Sequence, residues 1–199
     1  MTQARVKARP VRREPVFGER FAVFAECLLT GVWIAVACLG VVTYPAAFAA
    51  GARHLRRRTT GRDGGLRDFA ADFRAAVRGG WAVGLAGWAA AAAVSVDVLV
   101  SRAGLPGGPF AGAVGVFALI GLAVALLRAA AGWTPGSRWR ALLADAGRRT
   151  LRDPAGSFLI VCGLAVVALS AWFLPLLAVP ALGTVAAAAV AVEVRYRRR

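Results

Sequence analysis

Chemistry inside an apolar chain needs ionisable side chains where lipid or core would otherwise exclude them, because an uncompensated charge there is costly. Three acids qualify in this 199-residue sequence: Glu26, Asp97 and Glu193. Glu26 sits about one and a half helical turns into the first apolar stretch, within reach of an interface or of a neighbouring arginine such as Arg20. Asp97 lies three residues before Val100, with Ser95 close by and Arg102 further on. Glu193 stands two residues before Arg195 at the end of the last apolar stretch. All three are near an interface, so they read first as anchored or ion-paired acids. Asp97 and Glu26 are the candidates for an intramembrane role such as transport.

Other chemistries find little support. His54, the sole histidine, falls in an arginine-rich segment with no acid spaced to orient it, and reads as polar surface. Cys27, Cys38 and Cys162 lie inside apolar segments without metal-ligand spacing, so they read as small packing residues. No nucleophile–base arrangement, HExxH, phosphate loop or dinucleotide glycine pattern can be assembled. The expectation is a non-enzymatic protein that needs no cofactor and no metal.

The elements that must position these acids follow from composition. Apolar residues make up 59% of the chain, only 18% are charged, and mean hydropathy is +0.63. A soluble domain of this size cannot bury so much apolar surface, so the bilayer is the expected solvent. The net charge of +15 comes from 25 basic and 10 acidic residues. Those charges lie in short blocks between apolar runs, which argues for membrane topology and against nucleic acid. Four stretches are long enough to cross: 81–100, 110–127, 157–174 and 176–194. Gly79-Gly80 reads as the break before the first of these. Asp153-Pro154 reads as an N-cap and first-turn proline before the third. Pro175 and Pro180 bracket the turn into the fourth.

The opening stretch supplies one span, 21–38, and a shorter segment, 41–55, that either crosses thinly or re-enters. If residues 21–55 turn back on themselves, 24 of the 25 basic residues share one face and only Arg102 is opposite. The positive-inside rule therefore predicts three helical hairpins in the cell membrane. The basic tails, 1–20 and 195–199, are then both cytoplasmic. Trp81 and Tyr196 fall at inner edges, and Tyr44, Phe110, Trp172 and Phe173 at outer ones. Topology accounts for the arginine blocks, with anionic-lipid binding as a second reading. Two segments are amphipathic. Leu66, Phe69, Ala70, Phe73 and Val77 form one apolar stripe, and Trp139, Leu142, Leu143 and Ala146 form another. Both are expected to lie in the headgroup plane or to fill the cytoplasmic mouth of the bundle, each followed by a hairpin, as a weak repeat. The fold class is thus an all-α polytopic bundle of five to six membrane helices plus two cytoplasmic amphipathic helices. Small-residue stripes at Gly84 and Gly87, Gly121 and Ala125, and Gly183, Ala187 and Ala191 mark sites of close helix approach.

Residues 43–79 carry a further pattern: a Pro-Ala turn, an Ala-rich helix running into basic residues, a Gly-Arg-Asp-Gly loop and an Asp-Phe amphipathic helix. The residues are Pro45, Ala46, Ala49, Arg56, Gly61, Asp63, Gly64, Asp68, Phe69 and Phe73, with Arg152 to Pro154 further on. In this the chain resembles the YesL-like family of bacterial membrane proteins, a family without an established biochemical activity. The resemblance implies an accessory role in carbohydrate uptake, with sugar ABC transporter subunits as partners, and assigns no catalytic residues. A small homo-oligomeric transporter or channel is the alternative.

Overall fold

The computed structural model describes residues 16–60, 64–102 and 107–197. These form seven helices: α1 (Val16–Cys38), α2 (Tyr44–Thr59), α3 (Leu66–Arg102), α4 (Gly108–Gly132), α5 (Trp139–Arg152), α6 (Pro154–Phe173) and α7 (Pro175–Arg197). No strand occurs among the described residues, and the architecture is the expected all-α bundle. Four helices are long and apolar enough to cross a membrane: α3, α4, α6 and residues 176–196 of α7. The apolar part of α1, Phe24–Cys38, is shorter.

The bundle is built inside out relative to a soluble protein. Phe117, Trp172, Phe173 and Leu176 are each at least three-quarters exposed, while the buried centre is made mostly of alanines and valines. That is the arrangement expected where lipid solvates large apolar side chains and small ones let helices approach. At the centre stands α2, which packs against α1, α3, α4 and α7. Its sequence suits that place. Pro45 occupies the first turn, where no N–H is needed. Ala46, Ala47, Ala49, Ala50, Gly51 and Ala52 are all buried, and Gly51 fits so closely that a Cβ would lie 2.6 Å from Ile34 Cδ1. Arg56, Arg57 and Arg58 complement the negative end of the helix dipole.

Four sequence expectations need correction. Gly79-Gly80 does not break the chain: α3 runs through it as one 37-residue helix, about 55 Å long. These glycines instead make room for the Trp139 indole, whose Cδ1 would lie 2.9 Å from a Cβ at residue 79 and whose Nε1–H donates to the Ala76 carbonyl at 3.1 Å. The two amphipathic segments are therefore not equivalent, since α5 is separate from α6 while residues 66–80 continue into the span. Pro180 lies inside α7, not in a turn. Tyr44 is half-buried, and a Cβ on Gly87 would overlap its hydroxyl, so it does not mark an outer edge. The α1–α2 turn meets α3 only halfway along, where Trp88 Nε1–H donates to the Val41 carbonyl at 3.0 Å. From Trp88 to Arg102 α3 continues about 21 Å further. Val41 itself adopts φ 52°, a strained conformation for a β-branched residue, in that turn.

Candidate functional site

Basic residues of α2, α4, α5 and α7 gather at one end of the bundle, and α2 distributes its charges by helical spacing. Residues four apart share a face. Arg53 and Arg57 both reach Asp72 of α3, at 3.4 and 2.9 Å, and His54 and Arg58 both reach Glu26 of α1, at 3.2 and 2.6 Å. Arg56, on a third face, donates to the Trp133 carbonyl after α4. The Arg53 guanidinium also lies 5.9 Å from the centre of the Trp133 ring, a cation–π contact. One helical turn of arginines thus ties together three neighbouring elements.

A second group closes the other side of this end. Arg128, fully buried near the end of α4, donates through Nη2 to the Asp153 carboxylate at 3.0 Å and carbonyl at 3.2 Å, and to Ser157 Oγ at 3.3 Å. Asp153 also caps α6, its Oδ1 accepting from the Gly156 N–H at 3.1 Å. Burial alone would push the Asp153 carboxyl up. The hydrogen bonds from Arg128 and Gly156, with the positive charges of Arg128 and Arg195, outweigh that and hold it below the usual carboxylate range. Arg149 of α5 is clasped between Glu193 of α7 and Asp145 of its own helix.

The three candidate acids therefore divide. Glu26 belongs to the network, but its described partners are His54 and Arg58. Glu193 pairs with Arg149, while Arg195 reaches towards Asp153 at 3.9 Å. Asp97 is not brought to them: it stands exposed on the far half of α3. His54 is the largest reversal. It is fully buried, its ring stands edge-on to Trp33 at 4.9 Å, and Glu26 supplies the acid that orients it. The acid was invisible to a local reading because it lies 28 residues away.

Two of the resemblance-bearing residues, Gly64 and Phe69, lie close to that histidine. Phe69 packs on Trp33 at 5.4 Å and stacks with Phe73, and a Cβ on Gly64 would lie 3.4 Å from His54 Nδ1. Asp68 accepts from the Gly65 N–H at 3.3 Å at the start of α3, and Pro45 opens α2. Gly61 and Asp63 lie outside the described residues. Among the missed members, His54 and Asp72 had one usable signal, the four-residue spacing of 53/57 and 54/58, which puts paired basic side chains on two faces of α2, whereas the Arg128–Asp153 pair had none.

Chemically, the network holds charge in closed pairs. Glu26, Asp72, Asp153 and Glu193 each meet at least one arginine. His54 Nδ1, on the ring edge away from Glu26, has no hydrogen-bond partner. Among the described residues no group of three His, Cys, Asp or Glu side chains is placed to hold a metal ion. No protein-family model matches the chain, and neither a curated protein nor a solved structure matches it.

Proposed function

We propose that this chain is an accessory subunit of a membrane assembly, docking to another transmembrane helix through the outward face of α3. The observation that carries this is a stripe of Ala82, Ala86, Ala89, Ala93 and Asp97, all exposed, at spacings of four, three, four and four residues. Only 6% of the apolar window of α3 is buried within the chain. Small residues at this spacing suit helix–helix contact, and an unpaired carboxylate near the end of a span is costly, though less so than at the bilayer centre. A partner helix that donates to Asp97 would relieve that cost. Gly84, Gly87 and Gly183 are not available for docking, because each is filled by a contact within the chain.

The resemblance of residues 43–79 to YesL-like proteins supplies the partner class, subunits of a sugar ABC transporter. Charge bias places the basic end in the cytoplasm, and the shallow α1–α2 turn suits a re-entrant hairpin supported by α3 and α7. The test is a photo-crosslinking residue at position 89, with position 117 on α4 as the lipid-facing control. Expected is an adduct at 89 with a solute-permease subunit and none at 117. An adduct of two copies of this chain would favour the homo-oligomer, and no adduct at 89 would remove both.

A second reading rests on one feature, the pairing of the buried His54 with the part-exposed Glu26, which suits a proton-linked transporter. It predicts that Glu26→Gln lowers proton-driven flux in proteoliposomes at least tenfold, the effect of losing about 1.4 kcal/mol of coupling. Unchanged flux would dispose of it.

A further inference from the structure

We propose that a hollow between α5 and α7 at the basic end binds the phosphodiester headgroup of an anionic phospholipid. It encloses about 280 Å³ and is lined by Asp145, Arg148, Arg149, Arg152, Glu193 and Tyr196. The accessory role does not require it, and a chain purified without partners suffices to test it.

The lining has a fixed wall and an open rim. Arg149 is the wall, its side chain 10% exposed and held by Glu193 and Asp145. The rim is Arg148 and Arg152, four residues apart on one face of α5 and both exposed. Among the described residues Arg152 makes no ion pair, and Arg148 touches only the half-exposed Asp145, at 3.5 Å. Three guanidiniums against two carboxylates leave a positive excess concentrated on this rim. Two guanidinium forks converging on a tetrahedral oxyanion is the arrangement that recognises phosphate, and the Tyr196 hydroxyl adds a donor from α7.

Position selects the source of the phosphate. Tyr196 is the last residue of the membrane-length stretch of α7, so the hollow opens where that helix leaves the apolar layer. Leu151, next to Arg152, is 86% exposed on the amphipathic α5, as suits a side chain that dips into acyl chains below a bound headgroup. A lipid phosphodiester lies at this level, whereas a free anion in water would have no use for Leu151. A zwitterionic headgroup would bring its own cation against the arginines, which favours phosphatidylglycerol over phosphatidylcholine.

Native mass spectrometry of the full chain, titrated with phosphatidylglycerol or phosphatidylcholine, tests this. Two arginines near the phosphate predict a roughly thirtyfold preference for phosphatidylglycerol. Arg148→Gln with Arg152→Gln is expected to abolish most of it. Arg138→Gln with Arg140→Gln removes the same charge elsewhere on the exposed surface around the start of α5 and is expected to retain it. Equal loss in both double variants would reduce the effect to net charge and overturn the site. Displacement of phosphatidylglycerol by inorganic phosphate at matched concentration would assign the hollow to a free anion and overturn the lipid.

Discussion

Replacing Arg128 with Met is expected to lower stability by about 3–5 kcal/mol, because it strands a buried carboxylate. Asp153 is 7% exposed and takes its principal charge partner from Arg128, with Arg195 only at 3.9 Å. Met replaces the aliphatic stem and fills much of the volume, so the loss isolates the charge. Asp153→Asn alongside Arg128→Met removes that stranded charge while keeping an N-cap for α6, since an Asn oxygen also accepts from the Gly156 N–H. The double variant is therefore expected to recover most of the loss, and the cycle to show a coupling above about 1 kcal/mol. The pair is not fully satisfied even in the native protein, as Arg128 Nε and Nη1 lack hydrogen-bond partners. Its replacement by uncharged groups is correspondingly tolerable. The sign with pH follows from the lowered Asp153 value. Its contribution is present above the ordinary carboxylate range, near pH 3.9, and fades as pH falls through the lower folded value. Reversible unfolding in detergent at neutral pH reads both variants. A single-variant cost below about 1 kcal/mol would mean that Asp153 does not depend on Arg128.

The apolar runs make the helices legible in sequence, because a span of that length has no other stable conformation in lipid. Asp153-Pro154 is equally plain, and it caps and opens α6 as its residue types imply. What local reading could not supply is whom each residue meets. Gly79-Gly80 resembles a break until Trp139, sixty residues later, is seen to need the space. His54 resembles surface until α1 brings Glu26 to it, and Arg56 has its acceptor 77 residues away. The charge blocks, taken as an ensemble, read as a topology signal. Their individual members are spent on particular carboxylates, and that second use depends on α2 being central. Nothing in a window of hydropathy distinguishes a short central helix from a short re-entrant one.

The small-residue stripes separate in the same way, and that separation yields an expected reversal of sign. Gly183→Ala is expected to cost about 1–3 kcal/mol or more, because its Cβ would overlap the Cys27 carbonyl oxygen of α1, a backbone atom that cannot rotate aside. The contact is reciprocal: a Cβ on Gly31 would lie 2.5 Å from the Val179 carbonyl and 3.0 Å from the Gly183 nitrogen. Relief requires α1 and α7 to separate. Because α1 carries Glu26, separation also loosens its hold on His54 and Arg58, so the damage reaches the ion-pair network. Gly121→Ala is the same chemical change at a position with nothing within 4 Å of the added Cβ. There the gain in helix propensity, up to about 1 kcal/mol, stands alone and the variant is expected to be slightly stabilised. Thermal unfolding of the two variants side by side checks both signs. Equal destabilisation would mean that the cost follows the residue type and not the α1–α7 crossing.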